Sequence, residues 1–200
     1  MPRTKEQNEE IREAAKTSII DNSLRLFAKK GFHGTSISDI AKNSKISKGL
    51  IYNYFHGKEE IMDSILNRFF EEGEEITFML KGIEDPYEQI QTIIDASFSM
   101  LKEKEEEWRF LSAIMMQPET SKRGEHLSKN FNKLMIDKVK KIFRKMELQN
   151  PKGEALIFAA TIDGLILYYL IDKENYPLNS LVKQLKKKYS REEIERKITS

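Results

Sequence analysis

No cysteine occurs in this 200-residue sequence, which excludes a disulfide framework, a thiol nucleophile and any thiolate metal site. The three histidines, His33, His56 and His126, lie far apart, and no His–carboxylate metal spacing, glycine-rich phosphate loop or nucleophile elbow is present. An enzyme therefore has no motif to stand on, and neither a metal nor a cofactor is expected. Asp163 with Tyr168 or His126 could exchange a proton, but nothing in the sequence brings them together. Runs that alternate at period two are missing as well, and the β-branched residues are not gathered into strands.

Long hydrophobic runs are scarce. The one candidate span, residues 155–171, is short for a bilayer and carries Asp163 at its middle, where lipid would make a carboxylate expensive. A buried helix is the better reading, so no membrane partner is expected. The first twenty residues are mostly polar and show no secretory leader, and a cytoplasmic protein is expected.

What the sequence does have is an uneven charge. The formal net charge is +2, yet residues 1–58 hold eleven Lys/Arg against six Asp/Glu. Residues 29–58 alone hold six lysines and one acid, Asp39. A basic N-terminal module on an acidic body suits a polyanion met by one end of the molecule; the blander alternative is an unevenly solvated surface.

Helical periodicity accounts for the whole chain. A polar stretch through residue 9 is expected to be a short flexible arm. A first helix then carries Ile11, Ala15, Ile20, Leu24, Phe27 and Ala28 on one face, with Gly31 as its C-cap. Ser36 and Asp39 have capping-box spacing for a very short second helix, and Ser47 caps a third anchored by Leu50, Ile51 and Phe55. A longer helix starts near Lys58. Further helices are expected from Pro86, over 105–116, over about 123–148, from Pro151 to about 172, after Pro177, and after a Ser190–Glu193 capping box. The fold class is all-α, with nine or ten helices, divided into a small N-terminal domain over 1–57 and a larger helical domain over 58–200.

Two short helices joined by a tight turn need a third for support, and the first helix supplies it. The product is a helix-turn-helix whose second member can enter a major groove. Lys48 is long enough for a guanine edge, Gly49 would let the backbone approach the bases, and Tyr52 can touch a thymine methyl or a phosphate. Thr35, Tyr54 and Lys58 are placed as phosphate contacts, with the amide end of the fourth helix beside Lys58 adding to the attraction. Ser36, Lys45, Ser47 and Asn53 complete the candidate set. Tyr54 can equally be a core aromatic, Lys45 an ordinary surface residue and Gly49 a tolerated poor helix former, while His33 is given no task.

Residues 27–61, FAKKGFHGTSISDIAKNSKISKGLIYNYFHGKEEI, resemble the DNA-binding domain of the TetR family of bacterial transcriptional regulators. The resemblance is carried by Gly31-Phe32, Thr35-Ser36, Asp39-Ile40-Ala41, Ser47-Lys48-Gly49, Ile51-Tyr52, Tyr54-Phe55 and Lys58. It implies base contacts from Lys48, Gly49 and Tyr52, phosphate contacts from Thr35, Tyr54 and Lys58, and a variable, operator-tuning position at Asn53. It also implies a homodimeric repressor of double-stranded DNA with an inverted-repeat operator, released by a small-molecule effector. One departure stands in the turn, where Ser44-Lys45 replaces the family's usual Ala-Gly and puts a lysine at a left-handed position.

Beyond residue 79 the resemblance is architectural. Phe98, Met100, Trp108, Leu111, Met115, Met116, Phe131, Met135 and Phe158 could line a chamber for an apolar guest or fill an ordinary core. Asp163, Gly164, Leu167, Tyr168, Leu181 and Leu185 are candidates for a two-fold dimer interface, the alternative being an intrachain core helix. A helical scaffold with a non-sequence-specific basic face is the runner-up function.

Overall fold

Each stretch with helical periodicity folds as a helix. The computed structural model describes residues 4–115 and 122–199; the side chains of residues 72, 74, 114, 115, 122–128 and 197–199 lie outside that description. Among the described residues there are ten helices: α1 Lys5–Lys30, α2 Ile37–Asn43, α3 Lys48–Tyr52, α4 Lys58–Met79, α5 Pro86–Glu103, α6 Glu105–Met115, α7 Lys122–Lys145, α8 Pro151–Ile171, α9 Leu178–Lys188 and α10 Arg191–Thr199. The fold is all-α.

The expected loose arm is instead helical from Lys5. Thr4 forms a capping box with Gln7: the Thr4 hydroxyl accepts from the Gln7 N–H at 3.2 Å, and the Gln7 amide oxygen accepts from the Thr4 N–H at 3.1 Å. At the other end Gly31, at φ 75°, returns its N–H to the Phe27 carbonyl at 2.9 Å, with Lys29 and Lys30 in the last turn. α7 stops at Lys145, earlier than its periodicity suggests, where Glu147 takes φ 57°.

The chain divides into two compact units, residues 1–69 with 106–127 and residues 70–105 with 128–200. In the first, Ile19, Leu24, Phe27, Ile40, Ile51, Phe55 and Ile61 are buried. Phe27 stacks on Phe110 at 5.6 Å, Phe69 meets Trp108 edge to face at 4.8 Å, and Arg68 of α4 pairs with Asp21 of α1 at 2.6 Å. Burying one such apolar side chain fully is worth about 1.5–3 kcal/mol. These contacts hold α1, α4 and α6 as a frame for the two short helices.

The second unit is built around an aromatic cluster. Tyr189 stacks on Phe143 at 5.1 Å and meets Phe158 edge to face at 5.2 Å, while its hydroxyl donates to Glu154 at 3.3 Å. Burial, with the Glu154 carboxylate beside it, pushes the Tyr189 hydroxyl pKa up. Lys186 bridges to Asp95 at 2.7 Å, and the Gln91 amide donates to the Lys186 carbonyl at 3.0 Å, tying α9 to α5. α8 starts on Pro151 with Asn150 as its cap. It buries Ala155, Phe158, Ile162, Ile166 and Leu170.

Candidate nucleic-acid interface

The reading head is organised by caps and by the turn between them. The Ser36 hydroxyl accepts from the Asp39 N–H at 3.1 Å and donates to the Asp39 carboxylate at 2.6 Å; that carboxylate also accepts from the Ser36 N–H at 3.0 Å. These Ser36 bonds, with Lys30 at 3.4 Å, hold the Asp39 carboxyl down at a pKa of about 2. The turn after α2 is a Schellman motif: the Ile46 N–H reaches the Ala41 carbonyl at 3.0 Å and the Lys45 N–H that of Lys42 at 3.3 Å. Lys45 takes the left-handed position, at φ 56°. The motif keeps its conformation with lysine in a place that favours glycine.

α3 follows, capped by Ser47, whose hydroxyl accepts from the Leu50 N–H at 3.1 Å. Ile51 and Phe55 are buried beneath it. Lys48, Gly49, Tyr52 and Asn53 lie on its exposed side, with Tyr52 55% exposed. A Cβ built on Gly49 would meet nothing nearer than the Ser47 hydroxyl at 3.9 Å, so packing within the chain does not require glycine here. Lys45, Ser47 and Ser36 are exposed as well. A groove of about 400 Å³ lies beside Tyr52, bounded by His33, Ser36 and Ile37 among others.

Two candidate phosphate contacts are turned inward. Thr35 is 1% exposed, and its hydroxyl donates to the carbonyls of Gly31 at 2.9 Å and Leu26 at 3.3 Å. The Lys58 ammonium donates to the carbonyls of Phe32 at 2.8 Å and Thr35 at 2.9 Å, and lies 4.5 Å over the Phe32 ring. Both brace the α1–α2 loop instead of presenting donors to solvent. The expected anion attraction at the start of α4 is also corrected: Glu59 and Glu60 stand in its first turn, and Glu60 accepts the His56 N–H at 2.6 Å. Tyr54 is half-buried, with the Arg12 guanidinium 5.9 Å from its ring centre. Arg12 lies on the expected first helix but was not among the candidates, because nothing local in the sequence brings it to Tyr54, 42 residues on.

The other candidates separate by unit. Trp108 and Leu111 belong to the first, and Phe98, Met100, Phe131, Met135 and Phe158 to the second. Phe158, 1% exposed, is enclosed by Phe143 and Tyr189 and is a core residue. Phe131 tilts against Phe70 at 5.1 Å and passes so close to Gly73 that a Cβ there would meet it at 2.6 Å. Met116 and the Met115 side chain lie outside the described residues. Of the dimer candidates, Asp163 and Tyr168 are exposed, Leu167 and Leu181 are half-buried, and a Cβ on Gly164 would meet nothing within 4 Å. Leu185 is a correction: it is 5% exposed and spent in its own unit's core. α8 exposes Leu156, Ile157 and Ile171 too, so residues 156, 157, 160, 163, 168 and 171 leave an apolar stripe interrupted by Asp163. Desolvation raises the Asp163 carboxyl pKa. By length and composition alone, α8 could also cross a membrane.

Residues 19–65 match the model of the bacterial regulatory proteins of the tetR family. This segment is a TetR-family helix-turn-helix domain. Over 53 residues the chain is 49% identical to the HTH-type transcriptional regulator YuxN of Bacillus subtilis, covering 26% of this chain and 18% of that protein. Over 76 residues it is 37% identical to IcaR of Staphylococcus epidermidis, the negative transcriptional regulator of the biofilm operon icaADBC, covering 36% of this chain and 38% of that protein. The matched part thus spans well under half the length of these curated relatives. Over the whole fold the chain is similar to the transcriptional regulator FadR from Bacillus subtilis in complex with stearoyl-CoA, with a TM-score of 0.74 at 20% identity, covering 86% of this chain and 96% of that one. The TetR-type N-terminal domain is therefore followed by a helical body with the fold of solved regulators.

Proposed function

We propose that the protein is a sequence-specific transcriptional regulator that acts in the cytoplasm as a two-fold homodimer on an inverted-repeat duplex. The observation that carries this reading is the outer face of α3. A glycine at position 49 costs roughly 1 kcal/mol relative to alanine in a helix, and no neighbour in the chain calls for it. It makes sense where something outside must come close to the backbone, flanked by Lys48 and Tyr52. The apolar stripe on α8 supports the dimer, since a single helix-turn-helix makes few contacts and a second copy doubles them.

Repression and release by a small apolar ligand complete the proposal. The negative regulation exercised by IcaR supports repression, and the stearoyl-CoA bound by the similar FadR supports an apolar effector. Met100, Met135 and Phe131, all half-buried in the second unit, are adaptable enough to accept one. The test is selection of duplexes from a random library at moderate salt, where lysines alone do not retain DNA. An inverted repeat is the expected product. No enrichment by folded protein would mean that the basic face binds without reading sequence.

A further inference from the structure

We propose that the N-terminal part of α1 is a second DNA-contacting element, with Arg12 holding a backbone phosphate beside the one reached by Tyr54. This rests on the DNA-binding reading above, but residue 12 lies outside the segment 19–65 that matches the family.

Three observations converge. First, the segment is a capped helix, not an arm, so its side chains have defined directions. Second, Lys5, Arg12 and Lys16 fall on the face that also carries Ile19 and Ser23, both fully buried against the rest of the reading head. Arg12 stands seven residues before Ile19, about 10 Å up the helix at 1.5 Å per residue. It overhangs the end of the core on the side of the short helices. Third, its guanidinium lies 5.9 Å from the centre of the Tyr54 ring, and among the described residues it makes no ion pair. A planar cation steered by an aromatic ring, with its donors unspent, suits a phosphate oxygen.

The charge pattern of the helix fixes which face can meet DNA. Glu6, Glu9, Glu10 and Glu13 share a stripe roughly a quarter turn away from the basic one, at 100° per residue. Lys16 is already paired with Glu13 at 2.7 Å, which leaves Arg12 as the principal contact. Tyr54 then has two tasks: its ring positions Arg12, and its hydroxyl is left for the neighbouring phosphate.

The experiment measures duplex affinity of the full chain against salt concentration, on the selected duplex and on one of random sequence. Arg12→Ala should weaken binding to both about tenfold and reduce the slope of log K against log salt by about 0.9, the value for one phosphate neutralised. Arg12→Lys should keep most of the slope. Tyr54→Phe should preserve the Arg12 effect, whereas in a Tyr54→Ala background Arg12→Ala should change little. An unchanged slope for Arg12→Ala in folded protein overturns the inference. Lys48→Ala separates the two failures: if that variant keeps the wild-type preference for the selected duplex, the base-reading proposal falls, while the Arg12 slope still judges this one.

Discussion

Lys58 is fastened to Phe32 twice, by a 2.8 Å hydrogen bond to its carbonyl and by a 4.5 Å approach to its ring. The first residue of α4 thereby holds the loop that delivers α2. Removing this brace with Lys58→Met should lower folding stability by about 1–2 kcal/mol, the scale of charge-assisted hydrogen bonds at a half-buried site. Denaturant unfolding gives that number. The salt slope of DNA binding should stay at the wild-type value, whereas a phosphate ligand would remove about 0.9 from it.

Lys45 presents the opposite balance. Its left-handed backbone at φ 56° costs roughly 1–2 kcal/mol in a non-glycine residue, partly offset because glycine has more entropy to lose on folding. Lys45→Gly should therefore raise stability, by about 0.5 kcal/mol or more. If Lys45 faces phosphate, the same change should weaken DNA binding and lower its salt dependence. Thermal unfolding and a salt titration measure the two effects separately.

Gly49 offers a cleaner separation of fold from function. Gly49→Ala meets no atom within 3.4 Å in the chain and replaces a poor helix former. Stability should rise by about 0.5–1 kcal/mol. Binding to the selected duplex should fall at least tenfold, because the added methyl stands between backbone and bases. Equal or tighter DNA binding by the more stable variant would remove the argument built on this position.

In the dimer proposed through α8, Asp163 should make association sensitive to pH. Its carboxyl pKa is already raised by desolvation, and a second copy covering the α8 stripe would raise it further. Association then takes up protons, so the dimer should tighten as pH falls and loosen as pH rises through that range. Sedimentation at several pH values tests this. Asp163→Asn should associate more tightly at neutral pH and lose that dependence.

Much of this architecture was legible because its signals are local. Ser36 with Asp39, Ser47, Pro86 and Pro151 announce helix starts by chemistry that needs no tertiary context, and the left-handed position of Lys45 was implied by the glycine that the family resemblance places there. The misses are tertiary. Thr35 and Lys58 look like phosphate ligands in a linear motif, and only the carbonyls of Gly31, Phe32 and Thr35, brought beside them by the loop, show that they point inward. Leu181 and Leu185 share one helical face in sequence, yet Leu185 is consumed by the core while Leu181 stays half-exposed. Phe158 looks like a pocket wall until Phe143 and Tyr189 close around it.

The central claim is that α3 reads bases through Lys48 and Tyr52. The most direct measurement is the affinity ratio between the selected duplex and a scrambled one, for wild type, Lys48→Ala and Tyr52→Ala, at a single moderate salt concentration. The account expects a large ratio for wild type and a fall of tenfold or more in each variant, with unfolding transitions unchanged, since each base contact is worth about 1–3 kcal/mol. A ratio that survives both substitutions would contradict it.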